Sequence, residues 1–191
     1  MPRRRYIFDP PERFVAGTVG EPGDRTFFLQ AREGRRVVSV VLEKVQVAVL
    51  ADRLSRLLDE LEQRGVTAAN PAVGNLADDA EPLDEPVVEA FRAGTLTLGW
   101  DGTSDRVLVE ARAQTEEDVE ASETETETLI DDDAEDGPDL LRVLLTAPAA
   151  RAFVDRAVRV VASGRPPCPL CGQPLDPIGH ICPRRNGHYV N

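Results

Sequence analysis

The sequence predicts an α+β fold, a mostly antiparallel sheet built from two strand-strand-strand-helix repeats with two helices on one face. Three observations lead there. Short apolar runs are bounded by turn residues, two later runs change to a spacing of three and four, and the chain resembles itself at three points in the same order.

Strands are expected at 6–8, 13–18, 26–31 and 37–42, because Glu21-Pro22-Gly23-Asp24 and Glu33-Gly34 divide these runs with residues suited to hairpin loops. A helix follows. Val47, Leu50, Leu54, Leu57 and Leu58 recur at helical intervals and place one apolar stripe against the sheet. Glu43-Lys44 at its head reads as an exposed ion pair of little energetic weight. In the second half the strands are 87–92 running on into 95–100, then 107–113 and 140–145, with Asp101-Gly102-Thr103-Ser104-Asp105 as a hairpin loop and Trp100 packing at its end. Thr146, with Pro148 just behind it, marks the start of a second helix, whose stripe is Ala150, Phe153, Ala157, Val160 and Val161.

The internal likeness pairs Phe14-Val15-Ala16-Gly17-Thr18-Val19 with Phe91-Arg92-Ala93-Gly94-Thr95-Leu96, and Leu29-Gln30-Ala31-Arg32 with Val109-Glu110-Ala111-Arg112. The third match is the longest. Residues 38–58 overlay 141–161 at a constant offset, and Asp52-Arg53 coincides with Asp155-Arg156. We therefore expect one duplicated domain over 1–164, with repeat one at about 6–65 and repeat two at about 87–164, followed by a tail over 165–191. Two loops interrupt the plan. Residues 66–86 read as irregular surface chain, and the segment at about 115–139 is an acidic insertion too poor in apolar residues to offset chain entropy, so disorder is expected there.

The net charge of −12 belongs largely to that insertion. Between 115 and 141 there are thirteen acids and no Lys or Arg, which leaves 21 of the 34 acids against 22 bases elsewhere. Such a tract repels phosphates, which argues against a nucleic-acid partner. No run of about 18 apolar residues marks a membrane span, and Met1-Pro2-Arg3-Arg4-Arg5-Tyr6 lacks the apolar middle of a signal peptide, so a cytoplasmic location is expected.

The three cysteines, all in the tail, carry the sharpest chemical signal. Cys168-Pro169-Leu170-Cys171-Gly172 brings two thiolates to one side of a turn that Gly172 allows to curl back. Eight residues separate Cys171 from His180, and one separates His180 from Cys182. Cys168, Cys171, His180 and Cys182 thus form a Cys₃His set for one structural zinc, a small C-terminal zinc knuckle with no position left for substrate. His188 is an alternative fourth ligand. A redox Cys-x-x-Cys pair suits the proline-rich surroundings less well, since such pairs open a helix after a strand.

No catalytic set can be assembled. Both histidines lie in the tail, so a Ser-His-Asp or Cys-His arrangement would have to be taken from the knuckle. Ala16-Gly17-Thr18-Val19-Gly20 lacks the Lys and the strand-to-helix setting of a phosphate loop, and Asp9-Pro10-Pro11-Glu12 reads as a rigid turn.

Residues 8–20, Arg25-Thr26-Phe27-Phe28-Leu29-Gln30-Ala31-Arg32, Leu42-Glu43-Lys44-Val45-Gln46 and the tail from Cys168 to Gly187 together resemble an actinobacterial family of uncharacterised proteins. The resemblance spans nearly the whole chain apart from the two loops. It implies no enzymatic activity, and its His-x-Cys-Pro ending implies His180 rather than His188 as ligand. One mycelial member, ParJ, is associated with a ParA-type chromosome-segregation ATPase, so such an ATPase is the partner implied.

The function expected is that of a non-catalytic cytoplasmic adaptor or regulator that binds a protein partner. The alternative is an enzyme or metabolite-binding protein with a pocket between the two repeats. A third reading, nucleic-acid binding through Arg184, Arg185, His188 and Tyr189, has few residues to rest on.

Overall fold

The computed structural model describes residues 3–66, 79–115, 136–164, 168–171, 182 and 184. Alternating apolar residues form strands β1 (Arg5–Phe8), β2 (Arg13–Val19), β3 (Thr26–Glu33) and β4 (Arg36–Leu42), and helix α1 (Lys44–Gln63) follows. The second half repeats the order with β5 (Glu89–Asp101), β6 (Arg106–Ala113), β7 (Leu140–Leu145) and α2 (Ala147–Ala162). Thr146 caps α2 as its sequence suggests, its side chain accepting from the Ala149 amide at 3.3 Å. Gln46 serves α1 similarly: its carbonyl accepts from the Glu43 amide at 2.8 Å, half of a capping box, while its amide donates to the Ala93 and Gly94 carbonyls. Glu43 pairs with Arg92 across the structure rather than with Lys44.

The seven strands form one sheet in the order β1-β7-β6-β5-β4-β3-β2. It is mixed, which corrects the expectation of a mostly antiparallel sheet. β4 pairs with β5 in parallel where the two halves meet, and β1 pairs with β7 in parallel at one edge. Hairpins make β2–β3, β3–β4 and β5–β6 antiparallel, and β6 and β7 are antiparallel although residues 114–139 lie between them, but α1 carries the chain back over the sheet between β4 and β5, and such a crossover makes a parallel pair. β1 joins β7 from the far end of the sequence, which no local pattern announces.

The sheet is strongly curled. Only four residues connect β1 to β2, a reach of about 18 Å at full extension, whereas six interstrand steps in a flat sheet cover nearly 30 Å. Contacts between strands that are not neighbours agree with this. Arg36 of β4 donates to the Ile7 carbonyl of β1 at 3.0 Å and lies over the Phe8 ring, and Tyr6 stacks on Phe91 at 6.3 Å. A register shift between Ala93 and Leu96 lets the long β5 turn from β4 to β6, as bulges do.

Both helices pack on the same sheet face. Val47, Leu50, Leu54 and Leu58 of α1 and Ala150, Phe153 and Ala157 of α2 are buried there with Phe14, Leu29, Val40, Val109 and Val143. Arg151 holds the two helices together through Asp59 at 2.9 Å. On the opposite face a smaller cluster joins Val15, Phe28, Val41 and Leu83. Leu83 is buried, so the end of the segment read as irregular surface chain is in fact a strap across β2 and β3. Residues 67–78 and 116–135, which include most of that loop and of the acidic insertion, lie outside the described residues.

The glycines of the two halves differ in what covers them. A Cβ on Gly17 would stand 2.6 Å from Leu83, whereas one on Gly99 would meet only Leu108 at an ordinary 3.8 Å. Gly17→Ala should cost about 1–3 kcal/mol through overpacking. Gly99→Ala should be neutral or stabilising, because glycine loses more chain entropy on folding than alanine does. Urea unfolding of both variants checks this; equal effects would show that the strap does not bear on Gly17.

Candidate functional site

Two places combine geometry with chemistry. The first is the edge of the sheet at β2, where a strand leaves carbonyls and amides unpaired unless something covers them. α2 supplies the cover through Arg156, whose position on the inward side of the helix leaves it 7 % exposed. Its Nε donates to the Ala16 carbonyl at 2.8 Å, one Nη donates to the Asp79 carboxylate at 2.6 Å, and the other reaches the Glu81 carbonyl at 2.7 Å. Arg13, at the start of β2, holds the other side of Asp79 at 2.7 Å and reaches Asp84 at 2.8 Å.

Asp79 is therefore shared by two guanidiniums. Its hydrogen bond from Arg13 holds its carboxyl below the usual range, with the Arg156 charge acting the same way and burial opposing both. The same bond raises Arg13, while burial works against the charge of Arg156. Beside this node lies a cavity of about 140 Å³, walled by Phe14, Leu145, Ala149 and Phe153 and rimmed by Glu12 and Thr146. It lies between β2 of the first half and α2 of the second. The Asp9-Pro10-Pro11-Glu12 turn runs along it, and Glu12 pairs with Arg32 at 3.2 Å.

The second place is the cysteine turn. The sulfurs of Cys168, Cys171 and Cys182 all lie within 4.8 Å of one another, and those of Cys168 and Cys182 are 3.9 Å apart. These are separate thiols, since a disulfide would bring two sulfurs to about 2 Å. A tetrahedral ion with metal–sulfur bonds of about 2.3 Å sets its sulfurs roughly 3.8 Å apart, so the cluster fits such an ion. Main-chain amides point the same way. The Cys171 amide, with Leu170 behind it at 3.4 Å, pulls the Cys168 thiol below its ordinary value and favours the thiolate a metal requires. Cys168 and Cys182 are buried and Cys171 is half-buried.

The sequence thus brings three of its four proposed ligands together. His180 and the alternative His188 lie outside the described residues, as do Arg185 and Tyr189, while Arg184 is exposed. What the sequence reading missed is the role of Arg156 and Asp79. The coincidence of Asp52-Arg53 with Asp155-Arg156 speaks only for the repeat, and nothing in it joins Arg156 to Asp79, which lies in the connection between the halves.

A curled mixed sheet, two helices on one face and a tail with clustered thiols define an α+β protein with a candidate metal centre. Residues 6–182 match the family described as Protein of unknown function (DUF3090), and the chain belongs to that family. No curated protein and no solved structure matches the chain.

The charged node sets an acid limit. Because Asp79 is depressed in the folded chain, its contribution is complete above the ordinary aspartate value near 3.9 and is lost as pH falls through its own lower value. Asp79→Asn should cost about 2 kcal/mol at pH 7, less than the 3–5 of a fully buried pair because Asp79 keeps a fifth of its exposure. That difference should shrink on acidification below about pH 4. Denaturant titrations at pH 7 and pH 3 check it, and a difference unchanged with pH would mean that the node is not electrostatic.

Proposed function

We propose that the chain is a non-catalytic cytoplasmic adaptor or regulator that binds a protein partner, its tail locked by one structural zinc on Cys168, Cys171, His180 and Cys182. The observation that supports this reading most is how the charged groups beside the cavity are spent: Arg13, Asp79 and Arg156 bond to one another and to main-chain carbonyls rather than toward an open space. Groups tied down in this way build a surface rather than a reaction. The knuckle fits the same picture, since a site with four protein ligands holds a fold without offering an open position. No helix among the described residues is long and apolar enough to cross a membrane. The partner proposed is a ParA-type chromosome-segregation ATPase, an analogy that rests on the family resemblance alone.

The cavity between β2 and α2 favours a second reading, a metabolite-binding or enzymatic pocket built from both halves. At about 140 Å³ it is below the roughly 300–1,000 Å³ of ordinary ligand sites, so any occupant would be only a few atoms in size.

Elemental analysis of the untagged protein should find one zinc per chain, and Cys171→Ser should lower that at least tenfold. Absence of zinc from the unaltered chain would remove the knuckle from the account. Co-purification from host lysate, read by mass spectrometry for proteins and small molecules together, should return a stoichiometric protein, and the chain should alter the nucleotide-dependent polymerisation of the ATPase. A stoichiometric small molecule in place of a protein would favour the pocket.

A further inference from the structure

Each helix of the molecule begins beside a bend in the neighbouring chain, and strand register shows that the two bends are equivalent. Phe91 of β5 stands beside Val40 of β4 in parallel, and Phe8 of β1 stands beside Val143 of β7 in parallel. Val40 and Val143 hold the same place in the two repeats, so Phe8 and Phe91 do as well. Just beyond Phe91 come Ala93 and Gly94, where the ladder of β5 shifts. Just beyond Phe8, at the same remove, come Pro10 and Pro11, where β1 ends and the chain passes to β2.

On the α1 side a side chain closes the bend. Gln46, the third residue of α1, accepts from the Glu43 amide at 2.8 Å and donates to the Ala93 and Gly94 carbonyls at 3.3 and 3.1 Å. One carboxamide thus serves a main-chain donor ahead of the helix and two acceptors in the bend, which neither an ammonium nor a carboxylate can do.

On the α2 side the third residue of the helix is Ala149, and the cavity of about 140 Å³ stands in the place of the glutamine: Ala149, Thr146, Pro10 and Pro11 all line it. Leu140 donates to the Arg4 carbonyl, so by ladder alternation the Thr146 amide also points to the β1 side. Among the described residues, that amide has no acceptor and the Pro10 and Pro11 carbonyls have no donor. Phe14 and Phe153, stacked at 4.8 Å, supply an apolar floor. We propose that this cavity binds a primary carboxamide on a short carbon stem, either a small free amide or the side chain of a glutamine or asparagine. The pose is the one Gln46 takes on the α1 side: the oxygen on the Thr146 amide, the nitrogen on the Pro10 and Pro11 carbonyls, the stem over Ala149 and Phe14. The inference rests on the reading of the cavity as a binding pocket and names its ligand class. A carboxylate would set its charge against two carbonyls, and an ammonium would leave the Thr146 amide unpaired.

The probe is propionamide, titrated into the isotope-labelled full chain and followed by amide NMR. Saturable shifts are expected at Thr146, Ala149 and Glu12. Propionate and N,N-dimethylpropionamide, which lack the donors, should bind about tenfold more weakly. Ala149→Gln should set the chain's own carboxamide in the cavity, abolish those shifts and raise the melting temperature. Shifts that do not saturate, binding no tighter than that of the two analogues, or binding that survives in a folded Ala149→Gln chain each overturn the proposal. Propionate saturating the same amides more tightly than propionamide would keep the pocket and remove the carboxamide, whereas failure of all three probes would count against the pocket itself. Co-purification separates the two sources: a small amide lost from the Ala149→Gln chain makes the ligand free, and a protein lost from it makes the ligand a partner's side chain.

Discussion

One carboxylate, Asp79, decides how the first half of the sheet is closed. Arg156 lies under α2 because the Ala16 carbonyl at the sheet edge needs a donor, and its burial works against its charge. Arg13 sits close enough to repel it. Asp79 between the two opposes both effects, and in doing so it fixes the start of the strap on the outside of β2. From there Leu83 reaches round to the other face. A strand edge, a helix and a connecting segment are held by one shared charge, and removing it leaves two cations facing each other.

The two halves use the same ladder differently. Where the first has Gln30 and Ser39, the second has Glu110 and Arg142. The neutral amide bonds the strap's main chain directly, since it offers both a donor and an acceptor. A carboxylate offers acceptors alone, and once buried it needs cations, which Arg112 and Arg142 supply. The change at one position is thus matched at its cross-strand neighbour.

Much of the fold is legible in the sequence because much of it is local. Alternation and hairpin residues locate all seven strands, and the Leu50–Leu54–Leu58 and Ala150–Phe153–Ala157 spacings locate both helices. The parallel pairs are not legible, since the return of β1 to β7 spans over a hundred residues and leaves no mark in either strand. The likeness of Phe14 to Phe91 is also misleading in detail. Phe14 stands opposite Ala31, but the residue opposite Ala111 is Leu96, because the bulge in β5 shifts the ladder. The three cysteines come together as their close spacing suggests, for the turn is short, whereas Asp79, Leu83 and Arg156 act only through contacts distant in sequence. A lone leucine between Pro82 and Asp84 was the single signal that the strap is buried.

Hydrogen exchange of the Arg156→Gln variant is the most direct measurement of whether the shared charge holds the strap. Amides in 79–86 and along β2 should exchange at least tenfold faster than in the unaltered chain, with β6 and β7 unchanged, since their own ion network does not involve Arg156. Unchanged exchange in the strap, or an equal rise throughout the sheet, would contradict the claim that this node closes the first half of the molecule.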